Sequence, residues 1–146
     1  MNGTNSKHIL LIVLVTLAAF SVIFFTPLRY STIIEPEISD LEPEKVHSLL
    51  KENPENYLFI DVRPKSDYDK LHAEGSSNTP IQFLYDKWRE LPKSGKEIIL
   101  ICSGGRLSGV AFFFLQHFGF TNIHRVAGGL EAWALKDLPV VLLERL

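Results

Sequence analysis

The chain has 146 residues, 15 basic and 17 acidic side chains, a formal net charge of −2 and one cysteine. That charge balance excludes a basic nucleic-acid footprint. The single cysteine excludes an internal disulfide framework and any cysteine-built metal cluster, which leaves Cys102 as either a small buried hydrophobe or a reactive thiol.

Between Lys7 and Arg29 the sequence carries no Asp, Glu, Lys or Arg and is dominated by "ILLIVLVTLAAFSVIFF". As a helix this run would be roughly 32 Å long, about the thickness of a hydrocarbon core. A transmembrane helix through residues 9 to 28 is therefore expected. A cleavable signal would end its apolar region at a small-residue site, whereas here Ala18-Ala19 lie inside the run and Val22 to Phe25 follow. Lys7 and the terminal amine before the run, against Arg29 with Glu35 and Glu37 after it, place the N-terminus in the cytoplasm and the rest of the chain outside. The match of Asn2-Gly3-Thr4 to a glycosylation acceptor would then lie on the wrong side and is taken as chance. Setting aside residues 1 to 29 removes Lys7 and Arg29 and no acid. What remains is 117 residues with 13 basic and 17 acidic side chains, net −4, a size suited to one compact domain.

Residues 30 to 40, "YSTIIEPEISD", read as a linker, 30 to 37 lying wholly outside the domain and 38 to 146 making it up. "LEPEKVHSLLKEN" places Val46, Leu49 and Leu50 at i, i+3, i+4, with acids early and Asn53-Pro54 as a stop, which predicts a short amphipathic helix. "YLFIDV" (57 to 62) and "EIILIC" (97 to 102) are β-rich apolar runs preceded by turn residues and predict buried strands. A small-residue loop, "AEGSSNTP", and a helical pattern, "FLYDKWREL", lie between them. A helix is expected from about Arg106 to Phe118, stopped by Gly119, then a strand in "NIHRV", then a turn and short helix in "GGLEAWAL". Strands alternating with helices predict an α/β domain with a central, mostly parallel sheet flanked by helices. Ligands of such sheets bind beyond the carboxyl ends of strands, and Cys102 stands at one.

A thiol between a strand end and a helix start faces unpaired N–H groups and the positive end of the helix dipole. Both favour thiolate, the nucleophilic form. Gly104 and Gly105 let the backbone curl so that N–H groups converge, and Arg106 adds a permanent charge with a planar donor fork. These features describe an anion held against sulfur, and equally an ordinary strand-to-helix turn with a cysteine as filler. Phosphatases of the low-molecular-weight and dual-specificity kinds, which resemble this pattern superficially, carry an arginine six residues after the cysteine; position 108 is a serine.

Four motifs in order, "DVRPKSDY", "LHAEGSSNTP", "CSGGRLSG" and "FGFTNIHRVAGGLEAW", resemble the rhodanese-like family over roughly residues 38 to 140. The resemblance implies a cysteine that cycles between thiolate and persulfide, taking sulfur from a donor such as thiosulfate and passing it to cyanide or a thiol. By position, Cys102 would be the sulfur carrier and Arg106 would assist. The backbone of Ser103, Gly104, Gly105, Leu107 and Ser108 would cradle the persulfide and the donor's oxygens. The Cys102 to Ser108 spacing resembles the short loop of sulfurtransferases. Asp61 and Arg63 match the family's strand-end pair and read as a structural ion pair or hydrogen-bond anchor under the loop. His72 reads as a loop anchor rather than a general base. No cofactor, metal or nucleic acid is implied.

The sequence also departs from the family. Leu71, Ala73, Glu74 and Ser76 replace residues usual in the second motif, so that loop is expected to be shaped differently. Ser103, in place of a further cation, predicts a less basic mouth. Phe113 and Phe114 are consecutive aromatics on one helix, which reads as a wide core-facing stripe, with a partner or membrane contact as the rival. His47, His117 and His124 lack metal-site spacing, Trp133 is expected in the core and Trp88 half exposed. Three functions remain in play. They are a membrane-anchored sulfurtransferase, a tethered binding module with a vestigial cysteine, and a thiol redox or arsenate-reducing role that needs an external resolving thiol.

Overall fold

The computed structural model describes residues 8, 9, 11 to 18, 21 and 39 to 143, and the chain divides into two compact units at Glu37/Ile38. In the first unit the described residues are helical, and their large apolar side chains, from Ile9 to Leu17, are exposed. The span expected through residues 9 to 28 lies in large part outside the described residues. Among the described residues no helix is long and apolar enough to cross a membrane.

The second unit runs β1 (Asp40–Leu41), α1 (Pro43–Glu52), β2 (Tyr57–Asp61), α2 (Lys65–Tyr68), β3 (Leu71–Ala73), β4 (Ser77–Asn78), α3 (Ile81–Lys87), β5 (Glu97–Ile101), α4 (Arg106–His117), β6 (Ile123–Val126), α5 (Gly129–Leu135) and β7 (Val140–Leu142). Five strands form one sheet in the order β1-β6-β5-β2-β4, and every pairing in it is parallel. β3 and β7 form a separate antiparallel pair. The α/β architecture with a parallel sheet flanked by helices is therefore the one the alternation of patterns predicts.

β5 explains the layering. Ile98, Ile99, Leu100 and Ile101 are all fully buried, as a central parallel strand covered on both faces must be. Because successive side chains alternate faces, Ile98 and Leu100 join one core with Ala111, Phe112 and Leu115 of α4, while Ile99 and Ile101 join another with Val46 of α1 and Trp133 of α5. Each buried isoleucine or leucine contributes on the order of 1.5–3 kcal/mol. The same alternation carries Cys102, one residue beyond the strand, onto the α4 side of the sheet.

Several expectations need correction. Asp40, read as the end of the linker, and Leu41, read as the head of the first helical segment, form an edge strand in register with Arg125 and Val126. The segment "LHAEGSSNTP" is not all loop: Leu71–Ala73 pairs with Val140–Leu142, and Ser77–Asn78 pairs with the end of β2. Strands of two or three residues are too short to show a periodicity. The two consecutive phenylalanines part company. Phe114 packs against the core and against Tyr85 and Phe118 at ring-centroid distances of 4.5 and 4.9 Å, whereas Phe113 points outward and is 44% exposed. On α4 the buried face takes Ala111, Phe112 and Leu115, and the turn of about 100° from Phe112 carries Phe113 off it.

Candidate active site

β2 and β5 lie side by side in parallel with Asp61 opposite Ile101, so two strand ends deliver their next residues to the same edge of the sheet. Val62 continues the pairing by donating its N–H to the Ile101 carbonyl at 3.0 Å.

At the β5 end the backbone turns around a sulfur atom. Cys102 is 2% exposed, and its Sγ accepts hydrogen bonds from the backbone N–H of Gly105 at 3.2 Å and of Ser108 at 3.3 Å. Ser108 Oγ lies 3.5 Å from the sulfur and donates to the Gly105 carbonyl at 3.0 Å, which closes the turn from inside. Gly105 has φ +93°, a left-handed conformation that an L side chain resists, and it immediately precedes α4. Sγ is thereby set against the first turn of a twelve-residue helix, where N–H groups and the helix dipole stabilise negative charge.

Of the two loop glycines only Gly105 needs its backbone freedom; Gly104 serves a different end. A Cβ built on Gly104 would stand 3.3 and 3.4 Å from the two carboxylate oxygens of Glu131, so the glycine lets that carboxylate lie against the loop. Ser103, Gly104, Arg106 and Glu131 together line a cleft of about 390 Å³. Arg106 and Ser103 are exposed at this mouth, while Ser108 is fully buried. Leu107, assigned to substrate by position, turns its side chain into the α4 core instead, because it is one helical step round from the mouth.

The loop is held from outside by α5. The N–H groups of Leu130 and Glu131 donate to the carbonyls of Cys102 at 2.8 Å and Ser103 at 3.0 Å. This approach is possible only because position 129 is glycine. At φ +62°, a Cβ there would come within 2.4 Å of the Cys102 oxygen and 2.5 Å of the Ser103 oxygen. The tandem glycines of "GGLEAW" thus have a physical reason that reading along the chain does not supply. Arg125 supports the loop from β6. Its guanidinium binds Asp40 at 2.7 and 2.8 Å and reaches the Gly105 carbonyl at 3.4 Å, through space that a Cβ on Gly109 would fill at 2.6 Å.

At the β2 end the chemistry is closed. Asp61 is fully buried and Arg63 nearly so, and the guanidinium grips the carboxylate with Nε at 3.0 and 2.9 Å and Nη2 at 2.6 Å. The Arg63 backbone N–H donates to the same carboxylate at 2.9 Å, and Nη2 donates to the Leu71 carbonyl at 2.7 Å. Asn78 completes the bracket by donating its amide to the carbonyls of Asp61 and Arg63 at 3.0 and 2.9 Å. His72 stands on β3, stacked on Tyr68 with ring centroids 3.8 Å apart and with Nδ1 2.8 Å from the Tyr68 carbonyl. Its contacts are local.

The structure thus brings Cys102, Ser103, Gly104, Gly105, Arg106 and Ser108 into one loop and seats Asp61 and Arg63 on the neighbouring strand end. Sequence reasoning missed Glu131, Arg125 with Asp40, and Asn78. Asn78 carried a visible signal, an asparagine just before Thr-Pro, but no partner could be named for it without the tertiary structure.

A rhodanese-like domain family model matches residues 42–136. The chain is 32% identical over 100 residues to an adenylyltransferase and sulfurtransferase of the MOCS3 kind from Zea mays, covering 62% of this chain and 21% of that protein. It thus spans about a fifth of that larger relative. It is 23% identical over 104 residues to a sulfurtransferase from Allochromatium vinosum, covering 71% of this chain and 95% of the relative. Among solved structures, a rhodanese-related protein from Thermoplasma volcanium superposes with a TM-score of 0.61 at 33% identity, over 73% of this chain and 99% of the other.

Proposed function

Because the chain belongs to the rhodanese-like domain family, we propose that it is a sulfurtransferase that carries sulfane sulfur on Cys102, taking it from a donor such as thiosulfate and passing it to cyanide or a thiol. The observation that carries this reading is the pair of backbone N–H groups, from Gly105 and Ser108, aimed at Sγ. A thiolate in that position attacks the outer sulfur of thiosulfate. The new Sγ–S bond forms as the donor S–S bond breaks, and sulfite leaves with that bond's electron pair. The loop N–H groups then hold the persulfide anion, and Arg106 at the mouth attracts the incoming oxyanion. Attack by cyanide or an acceptor thiolate on the outer sulfur returns Cys102 to the thiolate. The names of the relatives support the class of reaction. Asp61 and Arg63 hold the adjacent strand end, and His72 anchors β3, without touching sulfur in this scheme.

The test is mass spectrometry of the full chain in detergent after incubation with thiosulfate. A gain of about 32 Da, one sulfur, that is absent from Cys102→Ser and discharged by cyanide supports the cycle. No adduct, together with sluggish alkylation of Cys102, favours a binding module whose cysteine is vestigial.

The proposal extends to place. The uncharged apolar run between Lys7 and Arg29 supports a single-pass anchor through residues 9 to 28 with the domain on the extracytoplasmic side. A chain that stays with membranes after alkaline carbonate extraction agrees with this; release into the supernatant overturns it.

A further inference from the structure

Resting on the reading of Cys102 as a sulfur carrier, we propose that Arg106 and Glu131 select the acceptor, and that the acceptor is a small zwitterionic thiol bearing both an ammonium and a carboxylate, as free cysteine does. Both side chains line the same 390 Å³ cleft, whose remaining lining, Ser103 and Gly104, is uncharged. Its size is at the low end of small-ligand pockets, which run from about 300 to 1,000 Å³.

The carboxylate is placed there by the fold. Gly104 leaves room for it, and the Glu131 N–H is tied to the Ser103 carbonyl at 3.0 Å, so the start of α5 is fixed relative to the cysteine loop. Among the described residues neither Arg106 nor Glu131 takes part in an ion pair, whereas Arg125, which reaches the same loop from β6, is paired with Asp40. Two opposite charges left to solvent in one small cleft match a ligand that carries both. A dianion such as thiosulfate meets one attraction and one repulsion there, and a simple anionic thiol does the same. A zwitterion meets two attractions, its carboxylate toward Arg106 and its ammonium toward Glu131.

The step then balances. The acceptor thiolate attacks the outer sulfur of the Cys102 persulfide anion. A bond forms between the acceptor sulfur and that sulfur, the Sγ–S bond breaks with its electron pair going to Cys102, which leaves as thiolate, and the acceptor departs as a persulfide anion.

The experiment loads Cys102 of the full chain with inorganic polysulfide, which bypasses any thiosulfate preference, and measures discharge to L-cysteine, cysteamine and 3-mercaptopropionate by mass spectrometry. Each acceptor is compared with itself across wild type, Glu131→Gln and Arg106→Gln, so the differing nucleophilicities of the thiols cancel. Glu131→Gln is expected to slow discharge to cysteine and cysteamine about two- to fivefold, as exposed charge contacts allow, and not to slow discharge to 3-mercaptopropionate. Arg106→Gln is expected to slow cysteine and 3-mercaptopropionate and to spare cysteamine. Both selectivities should fade in molar salt. A uniform slowing of all three acceptors would mean that the substitutions disturb the loop, and no change would mean that the charges are idle; either overturns the proposal while leaving the sulfur carrier intact. A wild-type Cys102 that takes no sulfur even from polysulfide overturns the carrier reading and this one together.

Discussion

The two strand ends beside each other at the edge of the sheet solve opposite problems. At the β2 end a full charge pair, Asp61 with Arg63, is buried and every contact is satisfied by side chains and carbonyls around it. At the β5 end the sulfur of Cys102 accepts hydrogen bonds from two backbone N–H groups, those of Gly105 and Ser108, with the Ser108 hydroxyl 3.5 Å away. A closed ionic bracket gives rigidity but has no capacity left for a ligand. A backbone cradle keeps its donors when the atom in it changes from thiolate to persulfide, because N–H groups neither titrate nor leave. Under the proposed function, this contrast assigns stability and chemistry to neighbouring positions rather than to the same residues.

Substitutions can break that division, and the largest effect is expected at the sulfur. Cys102→Ser should lower sulfur transfer by at least about a thousandfold while changing stability by no more than about 1 kcal/mol, read from transfer assays and denaturant midpoints in parallel. Asp61→Asn should do the converse. It leaves the Arg63 charge buried without its counterion and is expected to destabilise by about 3–5 kcal/mol, a large share of the stability of a domain this size, with transfer per folded molecule largely kept. If Asp61→Asn abolished transfer in protein shown to be folded, the two ends would not be separable. Gly129→Ala joins them. Its Cβ would collide with the Cys102 and Ser103 carbonyls, so about 1–3 kcal/mol of strain should come with a transfer rate lowered on the order of tenfold or more.

The smallest effect sharpens the comparison by lying far from both ends. Lys136, just past the end of α5, reaches Glu44 of α1 at 2.6 Å on the exposed surface. The hydrogen bond from Lys136 holds the Glu44 carboxyl below the ordinary glutamate value, and the same contact raises Lys136 above the ordinary lysine value. A depressed carboxylate stabilises the fold above its unfolded value and loses that contribution as pH falls through the folded one. A raised lysine stabilises below its unfolded value and loses the contribution as pH rises through the folded one. The pair therefore acts across neutral pH. Glu44→Gln should shift the thermal midpoint barely measurably at neutral pH and not at all in strong acid, with transfer unchanged.

How much of this was legible depends on how local each feature is. The apolar runs 57 to 62 and 97 to 102, the helix starting at Arg106 and the turn at Gly128-Gly129 all declare themselves through period and punctuation, so the parallel α/β plan and the place of Cys102 at a strand end follow from the sequence. The pairing of Asp61 with Arg63 was suggested by the resemblance of "DVR" to the family's strand end. The three-residue strand β3, the two-residue strands β1 and β4, and the outward turn of Phe113 were not, because elements that short have no period and a helix face is chosen by what packs against it.

Contiguous positions were enough to give the order of the longer helices and strands, the family resemblance and the residues of the cysteine loop. Only the tertiary structure decided that Glu131 lies against Gly104, that Gly129 must lack a side chain for α5 to grip the Cys102 carbonyl, and that Arg125 spans from Asp40 to Gly105. Those contacts join residues far apart in the chain. Their partners are chosen by how the parallel strands stack, a packing outcome that no local pattern encodes.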